Sequence, residues 1–488
     1  MRGGSGPLVM AGIGVAAVAV GAAVLGIGIP NDPVAQLAGD EPQYALTALS
    51  LAEDGDLDIA DELAEGRWRA FSDAVPFRQT AVLADGSRLS PHDPLLSLLL
   101  AAPMGLGGWA TAKLTVAMLA GALAALTLWT AVRRVAVPLP LAAAGVGVAA
   151  ASAPLAVYGQ QLYPELPAAL LTLVGVAALT LDPASRSSAV TGSARRAPLA
   201  LVVVAVVALP WLSVKYVPVA AVLAMLACRR WWRAGRRGEV LGAGAVLALL
   251  AGVYVAVHRA LWGGWTVYAS AHNPGGAGEF SVVGDDPDFL SRSLRLVGLL
   301  VDGRYGIAVW QPAWLLVLPA LGALLARRPA GWTALALPLA AGWLVATFPA
   351  STMHGYWWPG RQVVVVLPLA LLVLLWWLAR TGVAARAVAA VPGLAGVITY
   401  GWLLTQGHAG EITWTSMFTE PGAPGTPAYQ AVRPLLLDYR EFRPAQLAWI
   451  AGCALLAAAG WRSQRRRAPD AVSLPEPAGA GTAGRPSP

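Results

Sequence analysis

The sequence predicts an all-α, polytopic membrane protein. Its 488 residues are 57% hydrophobic and only 12% charged, with a mean hydropathy of +0.60. Apolar runs near the ~20 residues that a bilayer core demands recur along the chain. The charges also separate into two sides once those runs are connected. A soluble chain carries about twice this charged fraction. A cytosolic globular enzyme, a disordered chain and a soluble nucleic-acid binder are therefore excluded.

The first apolar run, 8–29, follows Met1-Arg2. It is long for a signal peptide and no convincing small-residue cleavage site follows, so a retained signal anchor is expected. Further runs cover 110–131, 136–157, 163–182, 239–262, 310–326, 331–348, 362–379, 386–404 and 445–461. Stretch 198–228 is 31 residues long with Arg195-Arg196 before it and Arg229-Arg230 and Arg233 after it. A single span would expose one basic cluster on the outer side, against the positive-inside rule. A short hairpin resolves the conflict, with its break between Pro210 and Pro218 where protein or a wet cavity satisfies the backbone.

The expectation is thus about 12 membrane segments with both termini cytoplasmic. Long outer loops span 30–109, 263–309 and 405–444. Residues 1–462 form one membrane-embedded domain, and the Pro/Gly/Ala-rich tail 463–488 is a disordered cytoplasmic segment. This assignment puts +16 on the cytoplasmic side and −9 outside, which makes up the overall +7. The positive charge is then a topology signal and not a nucleic-acid footprint. Of the 34 basic residues only Lys113 and Lys215 are lysine, and both fall at outer ends of apolar segments. Cys228 and Cys453 offer neither metal-ligand spacing nor a disulfide framework.

Gly39-Asp40-Glu41-Pro42 opens the sharpest motif of the first outer loop, followed by a helical pattern from Tyr44 to Ala52. The pattern fits a helix along the membrane interface. Asp40 or Glu41 can cap that helix, with Pro42 in its first turn. Either carboxylate can also act as a general base at the membrane surface, and the two roles are compatible. The acidic run Glu53–Glu65 is as a rule a solvated face. A divalent cation could bind there, but no ligand spacing supports one, so no cofactor is expected.

His92 precedes Asp93-Pro94 and a short apolar helix, Leu95–Ala102. Lys215, at a helix break flanked by prolines, suits a phosphate headgroup, and so more weakly does Lys113, for which snorkelling is the alternative. His354, Tyr356, Trp357 and Arg361 share a short outer loop of aromatic and glycine residues. That loop can be an interfacial aromatic belt, or a clamp in which rings stack on sugar and Arg361 grips phosphate. Tyr163, Glu165 and Tyr216 add polar groups at the same face. Loop 405–444, with Trp414, Phe418, Tyr429 and Tyr439, is a further expected cover on the acceptor side.

Taken together, these segments resemble the GT-C superfamily of integral-membrane glycosyltransferases. That superfamily includes protein mannosyltransferases, lipid A aminoarabinose transferases and bacterial arabinosyltransferases. The resemblance runs from the first span to about residue 380. It rests on GDEPQYALTALSLAEDGDL, HDPLLSLLLAAPMGLGGWATAKL, ALPWLSVKYVP, GLLVDGRYGIAVWQPAW and HGYWWPGRQVVVVLPLALL. Val214 stands before Lys215 where the family pattern has Thr.

The resemblance implies that Asp40, with Glu41 beside it, acts as catalytic base, and that Lys215, Arg361 and Lys113 hold a donor phosphate. It makes the chain an inverting hexosyl- or pentosyltransferase of the plasma membrane. Sugar would pass from a polyprenyl phosphate to a glycan, lipid or protein acceptor of the cell envelope at the outer face. His92, Tyr163, Glu165, Tyr216, His354, Tyr356 and Trp357 are the expected substrate-binding residues. The rival readings are a transporter or flippase of lipid-linked saccharide, a surface-polysaccharide ligase and a scaffold. The absence of mid-span acids weighs against ion-coupled transport.

Overall fold

Apolar composition becomes helix almost everywhere in the computed structural model. It describes residues 6–465 apart from 80–81, 84, 181–191, 274–275, 285, 351, 416–426 and 441. Helix α1 (Gly6–Gly26) buries Val15, Ala19, Ala23 and Gly26, one stripe at helical spacing, and packs against α4 (Leu95–Arg133). Its remaining apolar surface is mostly exposed, as expected for a helix facing lipid. Helices α2 (Glu41–Glu53) and α3 (Ala60–Glu65) follow in the first long loop. Every residue of α2 from Glu41 to Ser50 is buried, and the helix lies against α4. The helix expected to lie along the interface is instead enclosed within the protein.

Helix α4 (Leu95–Arg133) joins the predicted short apolar helix to the predicted span. Gly107 and Gly108 depart from helical dihedrals at the join, so two helices meet there at a kink. Helices α5 (Leu139–Ala150), α6 (Leu155–Tyr158) and α7 (Glu165–Leu179) come next. The predicted hairpin is present as α8 (Gly192–Leu212) and α9 (Val217–Arg233). Extended Ser213 and a single 3-10 turn, Val214–Tyr216, separate them. Pro218 suits the first turn of α9, where no backbone donor is needed.

Helix α10 (Arg237–Trp262) precedes the second long loop. Later helices cover Val317–Arg327, Trp332–Thr347, Leu367–Leu378, Val383–His408 and Gln446–Arg465. Residues 463–465 of the expected tail close the last helix, and the tail from 466 lies outside the described residues. Among the described residues the only strands are His272–Asn273 and Gly276–Ala277, an antiparallel pair.

Among the described residues, five helices are long and apolar enough to cross a membrane: Gly6–Ile27, Leu95–Arg133, Arg237–Ser270, Arg361–Leu378 and Val383–His408. Shorter apolar helices at Leu139–Ala150, Glu165–Leu179, Ala197–Leu212, Pro312–Arg327 and Trp332–Thr347 accompany them. Small residues set the closest crossing, between helices Val317–Arg327 and Gln446–Arg465. A Cβ on Gly322 would lie 1.9 Å from the Ala457 carbonyl oxygen, and one on Gly460 would lie 1.9 Å from that of Pro319. Backbones approach this closely in apolar helix pairs only where side chains are absent.

Candidate active site

Asp40 is the N-cap residue of α2, yet its side chain makes no capping hydrogen bond. Its Oδ2 accepts from Arg361 Nη2 at 2.6 Å, and its Oδ1 accepts from Gln79 Nε2 at 3.1 Å. The side chain keeps 22% exposure, so the carboxylate borders open space. Burial by itself would raise the Asp40 carboxyl, but the Arg361 guanidinium pulls it below the usual carboxylate range. The carboxylate is therefore withheld from helix capping and held ionised.

Gly39 sets this geometry. Its φ of +63° lies in the left-handed region, and a Cβ there would sit 2.7 Å from Tyr163 Oη and 2.8 Å from the Tyr356 carbonyl oxygen. Gly39→Ala is expected to cost about 1–3 kcal/mol of stability and to displace Asp40. Thermal unfolding and activity of the purified variant, read together, check this.

Arg361 follows Gly360, whose φ is +86°, at the start of the turn leading into helix Leu367–Leu378. The guanidinium spans two carboxylates, with Nη2 on Asp40 and Nε on Glu165 Oε1 at 3.0 Å. It lies 4.0 Å from the Tyr163 ring centroid and 5.1 Å from that of Trp357, an enclosure suited to a planar cation. Lys215 Nζ donates to the same Glu165 oxygen at 2.5 Å. Glu165 opens α7 and is fully buried, and its Oε2 has no hydrogen-bond partner. Two cations and two carboxylates from four distant segments thus form one continuous cluster.

A second layer holds this cluster in place. His92 Nε2 meets Gln79 Oε1 at 2.8 Å, and the His92 ring stacks on Tyr44 with centroids 4.7 Å apart. Gln79 spends its amide N–H on Asp40, so its oxygen must accept and His92 carries its proton on Nε2. Burial pushes the His92 imidazole down, against the pull of Asp40, and favours the neutral ring.

Asp93 Oδ2 accepts from the Val214 backbone N–H at 3.0 Å, directly before Lys215. Asp93 Oδ1 accepts from Tyr254 Oη and faces His258 Nε2, each at 2.9 Å. Asp93→Asn is expected to loosen the Lys215 turn and raise the donor KM more than it lowers kcat. Steady-state kinetics with varied donor measure that split.

Several expected residues sit elsewhere. Glu41 is fully buried, and its carboxylate accepts from Asn31 Nδ2, the Leu162 N–H at 2.8 Å and the Ala38 N–H at 3.2 Å. Burial pushes its carboxyl up against the pull of Lys113, and no face of it is open to substrate. The catalytic expectation for Glu41 is corrected to a structural one. Lys113 is likewise fully buried, donating to the Gln36 carbonyl at 3.2 Å and Gln160 Oε1 at 3.1 Å. It faces Glu41 and lies outside the Arg361 cluster.

His354 pairs with Asp302 at 3.2 Å and stacks on Tyr305. Tyr356 is 62% exposed and contributes its backbone oxygen beside Gly39. Tyr216 is buried beside Lys215, 5.2 Å from Nζ to ring centroid, with its hydroxyl unpartnered. Trp414 and Tyr439 are buried packing residues, and Phe418 lies outside the described residues. Gln79, Asp93, Tyr254 and His258 join the site without having been singled out as site residues in the sequence. The His92-Asp93-Pro94 motif was the one signal pointing toward them.

No protein-family model matches this chain, and no curated protein matches it at a significant level. Solved structures do. The crystal structure of ArnT from Cupriavidus metallidurans bound to undecaprenyl phosphate superposes with a TM-score of 0.52 at 17% identity. The alignment covers 94% of this chain and 75% of that one. The apo form of the same ArnT gives 0.51 at 16% identity, covering 94% and 77%. The protein therefore has the fold of ArnT, the polytopic GT-C glycosyltransferase fold that its sequence motifs resemble.

Proposed function

We propose that this protein is a membrane glycosyltransferase that moves a sugar from a polyprenyl-phosphate donor to a hydroxyl of a cell-envelope acceptor. The carrying observation is the Asp40–Arg361–Glu165–Lys215 cluster, in which a partly exposed carboxylate shares its guanidinium with a buried carboxylate that also holds a second cation. Undecaprenyl phosphate in the ArnT crystal structure supports a lipid-phosphate partner. In the proposed topology the chain has twelve segments and cytoplasmic termini, and the site faces the outside of the plasma membrane.

The reaction is a single displacement. The acceptor oxygen forms a bond to the anomeric carbon while its proton passes to Asp40. The bond from that carbon to the phosphate oxygen breaks, and the lipid phosphate leaves with the electron pair. Arg361 and Lys215 stabilise the charge that develops on it. Direct attack from the opposite face inverts the anomeric centre.

A phosphate arriving at Arg361 competes with Asp40 for the guanidinium. Donor binding would thereby release the carboxylate from its strongest partner and raise its basicity when a base is needed. Glu165 keeps Arg361 and Lys215 anchored through that exchange.

The test is release of polyprenyl phosphate and formation of glycosylated acceptor from a labelled synthetic donor, using purified protein in detergent. Transfer is expected. Counterflow of lipid-linked saccharide in proteoliposomes, without transfer in detergent, would instead assign the chain to transport.

A further inference from the structure

Among the described residues, two groups bring three candidate ligand atoms within 4.8 Å of one another, and neither includes a member of the Arg361 cluster. The first is Asp302, His354 and Asp438. It is internally satisfied. Asp302 accepts from the backbone N–H groups of Arg304, Tyr305 and Tyr439 at 2.8–2.9 Å and faces His354 at 3.2 Å. Asp438 is gripped by the Arg440 guanidinium. This group is a strut between loops and has no lone pair left in search of an ion.

The second group, Asp54, Asp61 and Glu62, is different. It belongs to the acidic run of the first long loop, and the other acids of that run are occupied. Asp56 accepts from Ser50 Oγ and the Asp58 N–H, each at 2.9 Å. Asp58 accepts from the N–H groups of Ala60 at 3.0 Å and Arg88 at 2.7 Å. Glu53 and Glu65 share Arg67, at 2.6 and 3.7 Å.

Glu62 is only 2% exposed, and neither of its carboxylate oxygens has a hydrogen-bond partner. It is aimed at Asp61 and Asp54, two exposed carboxylates. An ionised carboxylate buried against two others without a donor is costly unless a cation faces it. Arg67, the basic group beside them, is already committed.

We propose that Asp54, Asp61 and Glu62 bind a divalent cation of the calcium type. All three ligands are oxygen and none is nitrogen or sulfur, which suits a hard cation. The exposed flank leaves room for water to complete the coordination. Asp54 is the C-cap of α2, and Asp61 and Glu62 lie on α3. The ion would therefore clamp the far end of the helix that begins at Asp40. This site stands on its own geometry and does not depend on the reaction proposed above.

Thermal unfolding of the full-length protein in detergent tests it, titrating CaCl2 against EGTA with NaCl at matched ionic strength. Calcium is expected to raise Tm with a midpoint of roughly 10⁻⁴–10⁻³ M, the range of weaker calcium modules. Glu62→Gln should lose the response yet unfold in EGTA no lower than wild type, because the amide carries no charge to bury. Asp54→Asn and Asp61→Asn, at exposed positions that need no repacking, should each move the midpoint at least about tenfold higher. A wild-type Tm indifferent to calcium would overturn the proposal. So would an equal rise from matched NaCl, or a calcium response unchanged in Asp54→Asn and Asp61→Asn.

Discussion

Asp40→Asn should lower kcat by about 10²–10⁴-fold, the range a general base contributes, without raising the donor KM. Asn preserves the size of the side chain but removes the proton acceptor. It also frees Arg361 from its 2.6 Å contact with Asp40, leaving the guanidinium more available to phosphate. Steady-state kinetics with varied donor separate these effects. A rise in KM with kcat unchanged would make Asp40 a binding residue and remove it from proton transfer.

Arg361→Lys carries the second large effect. The substitution keeps the charge but loses the fork that reaches Asp40 and Glu165 at once. A fall in kcat/KM of about 10²–10³-fold is expected, comparable to loss of one donor to a developing anion. The pH profile should move as well.

In the wild type, Arg361 holds the Asp40 carboxyl below its usual range despite burial. A base whose pKa is lowered stays ionised as pH falls, so kcat/KM should remain flat down to about pH 5 and decline only in more acidic buffer. With the guanidinium fork gone, the charge remains but its hydrogen bond to Asp40 is lost, so burial weighs more, the carboxyl rises and the acid limb moves to higher pH. An acid limb at the same pH in both proteins would show that Arg361 does not tune Asp40.

Much of this arrangement was legible in the sequence, and the residues that were not share physical reasons. The break at Lys215 could be read because two basic flanks and two prolines made a single span impossible. Arg361 could be read from its place after Gly360 at the end of an aromatic loop. Asp40 and Glu41 could not be told apart, because adjacent residues at a helix start differ by about 100° in direction. That rotation sends one carboxylate toward Arg361 and the other into a buried cage of backbone donors.

Lys113 and Lys215 posed the same problem. Both stand at ends of apolar segments, but Lys113 lies in the helical stretch of α4 past its kink, and its partner Gln160 is remote in sequence. The acidic run Glu53–Glu65 looked like a solvated face because local spacing says nothing about the turn between α2 and α3. That turn buries Glu62 and exposes its neighbours.

The most direct measurement is a structure of the full-length protein with a polyprenyl phosphate bound. The phosphate should lie between Lys215 and Arg361, within hydrogen-bond distance of both, with the Arg361–Asp40 contact lengthened from its present 2.6 Å. A phosphate seated away from both side chains, with the Asp40–Arg361–Glu165–Lys215 cluster undisturbed, would contradict the donor-site assignment.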